Sequence, residues 1–153
     1  MANRYASTGV QTALGTADDF MLSVTGQTTT SVEVYYLLYA TEGTPIDEMS
    51  TFSVHRCTDH GTGADVMPEG LNELSVARIA LADSTEEHTV DPTTTGIPLI
   101  EVPIHTRATF QWQVPPGMGM GFQGPLAADD GFAFSARAPT YAAVARTTAF
   151  HEE

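Results

Sequence analysis

The densest collection of chemically able side chains in the sequence is HRCTDH, where His55, Cys57, Asp59 and His60 fall within six residues. Imidazole, thiolate and carboxylate are the ligands that zinc takes. On a strand, positions 55, 57 and 59 share a face, but a structural zinc site draws a second ligand pair from a distant segment, and no second cluster of cysteine and histidine exists. The segment is therefore expected to be a solvent-facing strand end with a half-buried thiol and no metal. His105, with Glu101 upstream, raises the metal site of a cupin-like enzyme, yet the paired His-x-His is missing. Asp129 with Asp130 and Glu86 with Glu87 could be acid and base pairs. Adjacent strand residues point to opposite faces, so neither couplet converges on one substrate atom, and both are expected in turns. The chain also lacks G-x-S-x-G, the P-loop and the G-x-G-x-x-G fingerprint. No catalytic residue, metal or cofactor is expected, and the chain is read as a non-enzyme.

The elements that would hold these residues are strands. In DDFMLSVTG, Phe20, Leu22 and Val24 alternate onto one face, and SVEVYYLLYA is a dense aromatic and β-branched run from Val32 to Tyr39, as a central strand requires. STFSVHRC sets Phe52 and Val54 against Ser53 and His55. LNELSVARIAL spaces Leu71, Leu74, Arg78 and Leu81 near a helical period, with a strand over 75–82 as the competing reading. EEHTVDPTTTG reads as a turn-rich connection, and Pro98 and Pro103 place IPLIEVPI at a sheet edge, because proline removes a ladder donor. In HTRATFQWQVPPGMGMGF, Ala108, Phe110, Trp112 and Val114 face one way and Thr109, Gln111 and Gln113 the other. GFAFSARA repeats the scheme with Phe132 and Phe134. The expectation is an all-β chain: a single-domain β-sandwich or jelly-roll barrel over 16–153 with at most one short helix, preceded by an N-terminal arm over 1–15.

Strand patterning stops at PPGMGMGFQGP. There Met118, Met120 and Phe122 either fold back over the end of the barrel or meet another chain, since methionine adapts to irregular surfaces and exposed apolar clusters mark association sites. The expected partner interface joins these three residues with Arg4 and Tyr5 of the arm, because chain ends are free to reach a neighbour.

Composition narrows the partners. The 153 residues suit one domain, and 42% hydrophobic against 16% charged residues suits a folded chain with no apolar run long enough to span a membrane. Nineteen acidic residues face six basic ones, all arginine, for a formal net charge of −13. Such a charge repels phosphate backbones, so nucleic acid is not an expected partner, and without a spanning apolar run neither is a membrane. One cysteine excludes an internal disulfide. The start, MANRYASTGVQT, shows no secretory signal, and synthesis in the cytoplasm is expected.

IEVPIHTRATFQWQVPPGMGM, with APTYAAVARTTAFHEE at the end, resembles a group of small β-rich proteins encoded among the virion genes of tailed bacteriophages. The resemblance lies in Arg107, Ala108, Thr109, Phe110 and Trp112, in Pro116 and Gly117, and in Tyr141, Val144 and His151 to Glu153. It implies a capsid decoration (cement) protein: a structural virion protein on the capsid surface, bound to the major capsid protein and forming a homo-oligomer, trimer or dimer. The group offers no catalytic residues to transfer. The alternative is a ligand- or carbohydrate-binding β-sandwich module of a head or tail fibre. Trp112 separates the two, since sugar stacking needs its indole exposed.

Overall fold

A computed structural model describes residues 3–27, 30–44, 46–71, 80–115, 117–121, 129–138 and 143–153. Among them are twelve strands and no helix: β1 (Arg4–Gln11), β2 (Asp19–Thr25), β3 (Glu33–Glu42), β4 (Met49–Asp59), β5 (Thr62–Asp65), β6 (Glu69–Gly70), β7 (Asp83–Val90), β8 (Thr93–His105), β9 (Phe110–Gln113), β10 (Met120–Gly121), β11 (Gly131–Arg137) and β12 (Val144–Glu152). They form two antiparallel sheets. The front sheet runs β6-β1-β12-β3, with β9 and β10 sharing the far edge of β3, and the back sheet runs β5-β7-β2-β11-β4-β8. The all-β expectation holds, and the architecture is a β-sandwich.

The core lies between the sheets. Val34, Leu37 and Tyr39 of β3 meet Leu22 and Val24 of β2, Phe52 and Val54 of β4, and Phe132 and Phe134 of β11, all essentially without exposure. Tyr39 stacks on Phe52 with ring centroids 4.8 Å apart, and Phe110 of β9 reaches the same ring at 5.6 Å. Each large side chain buried here contributes about 1.5–3 kcal/mol by leaving water. Polar links also cross the layers. Ser7 and Ser84 share a 2.9 Å hydroxyl contact, and the Val10 amide donates to Glu86 at 2.9 Å. At Gly9 the sheets come so close that a Cβ would lie 2.2 Å from the Met21 carbonyl oxygen, so only glycine fits.

Several sequence expectations change. Residues 4–11, expected in a free arm, pair along their whole length with β12. The expected turn-rich connection over 86–96 holds the second half of β7 and the start of β8; the polar side chains of β7 hid a strand that pairs with β2 and β5. A bulge at Met21 rotates β2, so Leu22 and Val24 enter the core while Phe20 packs with Cys57 and Ala133 on the opposite face. Trp112 and Phe110 do face inward, and Gln111 and Gln113 outward, but β9 is an edge strand and its aromatic rings are only half-buried. The segment expected as a helix falls mostly on 72–79, outside the described residues. β3 lies between β12 and the β9/β10 edge, as its apolar density suggested, and the proline-bearing β8 is an edge strand.

Candidate functional site

Two places bring together the side chains singled out above. The first is the outer face of the back sheet. Its two inner strands, β2 and β11, are buried on both faces almost from end to end. Apart from Phe20 and Arg137, their outward residues are small or hydroxylic, and the Phe20 ring and histidine rings from neighbouring strands close over them. His55 Nε2 lies 3.1 Å from Ser135 Oγ, and its ring packs against Phe20 at 5.7 Å. Ser23 Oγ is 3.1 Å from both His88 Nε2 and the His60 carbonyl oxygen. His60 Nδ1 meets Asp129 at 3.2 Å, and Asp129 sits at a positive φ of 75° in a turn.

Proton placement follows from the acceptors. His88 Nδ1 faces the Phe20 carbonyl at 3.2 Å, which can only accept, so Nδ1 carries the hydrogen and Nε2 is an acceptor that shares the single Ser23 hydroxyl hydrogen with the His60 carbonyl. Burial lowers the pKa of both His55 and His88 and favours their neutral forms, although Asp18 and Glu101 near His55, and the Phe20 and His60 carbonyls near His88, pull the other way. These are the distances of a base beside a hydroxyl nucleophile. However, Ser23 and Ser135 have no exposure, so no substrate reaches either oxygen. The network is a packed polar layer. Thr25 and Ser53, in the same layer, bury hydroxyls that have no partner among the described residues.

Cys57 corrects the expectation of a half-buried thiol, because it is fully buried and burial pushes its pKa up to about 12. At that value the thiolate required for metal binding or nucleophilic attack does not form near neutrality. His55 also faces the packed layer rather than solvent. Among the described residues no three His, Cys, Asp or Glu side chains converge as a metal site would require. His105 Nε2 pairs with Asp47 at 3.0 Å, whereas Glu101 pairs with Arg137 at 3.1 Å, so those two carry separate ion pairs. Asp129 lies in a turn as expected. Glu86 and Glu87 do not, since both belong to β7: Glu86 turns inward to Val10, and Glu87 takes a positive φ of 47°.

The second place is the pair of sheet edges. After β9 the chain leaves the edge of β3 and rejoins it at β10, with Met120 opposite Val34. Gly117 takes a φ of +84°, and a Cβ at Gly119 would lie 2.3 Å from the Val34 carbonyl oxygen. The alternating glycines thus bend the chain out and let it return against β3, where Glu33 accepts the Gly119 amide at 2.7 Å. Met118 stands at the crest, 73% exposed, while Met120 packs against the core. β8 does the same on the other sheet. Its register breaks between Thr95 and Ile100, Gly96 takes a φ of +68°, and Ile97 projects with 88% exposure beside Leu99.

Of the expected contact residues, Met118 is therefore exposed, Met120 is turned inward, and Phe122 lies outside the described residues. Arg4 is exposed and pairs with Glu152 at 3.1 Å, but Tyr5 is 1% exposed and stacks on His151 at 5.8 Å. The same pairing that makes β1 a strand turns Tyr5 into the core and removes it from any contact surface. Sequence reasoning missed Ile97. The clue was a glycine followed by two large apolar residues around Pro98. No protein-family model and no curated protein matches the chain.

Proposed function

We propose that this chain acts through its surface rather than through chemistry, as a structural virion protein of a tailed phage that decorates the head and binds the major capsid protein. The observation that carries this reading is the contrast between hidden hydroxyls and displayed apolar crests. Every serine in a histidine pair is buried, whereas Met118 and Ile97 are held in the open by glycine-bent bulges, one on each sheet. Apolar side chains raised on a bulge cost solvation free energy and gain nothing within the fold, while a partner surface repays them. Bulges also end regular pairing at an edge, so the crests can meet a partner without inviting strand-to-strand aggregation. The fibre-module alternative has less support, because Trp112 packs against the core and leaves only part of its indole open to a sugar.

The test is co-sedimentation with heads of the phage that encodes the chain, prepared without it. Saturable binding is expected, and changing Met118 and Ile97 together to serine is expected to weaken it more than tenfold, about 1.4 kcal/mol. Failure of the wild-type chain to bind heads, with retention on a glycan array, would overturn the reading in favour of the fibre module.

A further inference from the structure

The outer face of the front sheet is, among the described residues, empty of charge at its centre. Thr8 of β1, Thr148 and Phe150 of β12, Tyr36 and Leu38 of β3 and Gln111 of β9 occupy neighbouring positions there, as the strand registers dictate. Tyr36 and Phe150 stack at 4.9 Å, and the Thr8 and Thr148 hydroxyls meet at 2.9 Å. Charge appears only towards the margins: Arg4 pairs with Glu152 at one end and Arg146 with Glu42 at the other, while Glu33 beside Glu152 and Glu69 beside Ala6 add acidic charge there. Depletion of charge at the centre with aromatic rings present is the composition of an interface core, and polar and charged residues at the margin that of a rim.

We infer that this face binds a second copy of the same chain, front sheet against front sheet. Charge complementarity selects the copy as occupant. Along β12 the outward residues are 144, 146, 148, 150 and 152, and a two-fold axis across the strands near residue 149 exchanges positions 146 and 152 and positions 148 and 150. Each Arg146 then faces Glu152 of the second copy, and the uncharged centres meet. Such an isologous contact closes on itself and forms a dimer. The area suffices: four strands about 4.8 Å apart and about eight residues long at roughly 3.3 Å each give about 500 Å² per copy. The total of about 1,000 Å² reaches the lower limit for a specific contact and suits a weak dimer. The edge crests stay outside it, free for another partner. The inference needs the surface-acting reading above only in that both assign this chain no catalytic face.

Sedimentation equilibrium of the full chain decides it. A dimer is expected at concentrations up to about 0.1 mM. Thr148→Lys, which sets like charges near the two-fold axis, is expected to give monomers with an unchanged circular dichroism spectrum. Arg146→Glu is expected to weaken the dimer at least tenfold, and adding Glu152→Arg to restore it. A wild-type monomer overturns the inference, as does a dimer that survives Thr148→Lys or one that dissociates on Met118→Ser instead. A monomer that still saturates phage heads removes this interface and leaves the decoration reading standing, whereas a dimer that ignores heads does the reverse.

Discussion

The outer faces of the two sheets are built from similar residues, threonine, serine and aromatic rings on antiparallel strands, and they end in opposite states. On the back sheet, small outward side chains on β2 and β11 let histidine and phenylalanine rings close over them, so the hydroxyls bond inside the protein. On the front sheet, the outward Tyr36, Leu38, Thr148 and Phe150 stay within reach of solvent, and charge is confined to the margins around them. Side-chain polarity alone therefore does not say which face is sealed. What decides it is whether the neighbours are large enough to cover a hydroxyl and carry an atom that can bond it.

The largest effect that separates the faces is expected beneath the back sheet. Phe134→Ala empties a fully buried site and should cost about 3–5 kcal/mol in urea unfolding. Phe150→Ala on the front face should cost less than half of that in the monomer. Equal losses would mean that Phe150 is core. Trp112→Ala should fall between the two, because its ring is only half-buried at an edge.

Acid should strike the buried imidazoles next. His151 lies between the sheets with Nε2 at 3.1 Å from Ser7, no partner for Nδ1 among the described residues, and a pKa that burial pushes down from 6.5 to about 4. Its neutral form is the one that folds. The stability it confers is whole above pH 6.5, falls as the unfolded chain takes up a proton below that value, and is fully lost below about pH 4, a change of about 3 kcal/mol. His55 and His88, also lowered, add in the same direction. Denaturation midpoints measured from pH 7 to pH 4 should drop less steeply in His151→Asn than in the parent. Parallel slopes would show that His151 is not the group responsible.

Smaller still is the hydroxyl comparison. Ser135→Ala strips His55 of its partner in a buried layer and should cost about 1–3 kcal/mol. Thr148→Ala, which loses an exposed hydroxyl pair, should stay within about 0.5 kcal/mol. Similar losses at both positions would erase the distinction between a sealed and an open face. Smallest in energy, Cys57 of the native chain should resist a thiol reagent at about pH 8 while the urea-unfolded chain reacts, since its thiol is buried and its pKa raised.

How much of this was legible in the sequence differs from strand to strand. Alternation set the faces of β4, β9 and β11 correctly, because burial of one face of a strand demands a period of two. It misplaced Phe20, because a bulge shifts every later side chain by one residue and leaves no mark in hydrophobicity. It missed β7, whose polar side chains bond across the layers instead of packing. The contact set was legible only in part. The Met-Gly-Met-Gly alternation marked a distorted edge, but which methionine faces out depends on where the chain rejoins β3.

By itself the sequence determined the all-β class, the inward aromatic rings of β4, β9 and β11, the edge position of β8 and the acidic, lysine-free surface, since each follows from residue type and spacing. The tertiary structure alone decided that Tyr5 and His151 are core, that Cys57 is sealed and that Met118 and Ile97 are crests. Each of those outcomes depends on partners brought from distant parts of the chain. Tyr5 meets His151 only because β1 pairs with β12, and no local pattern encodes that register.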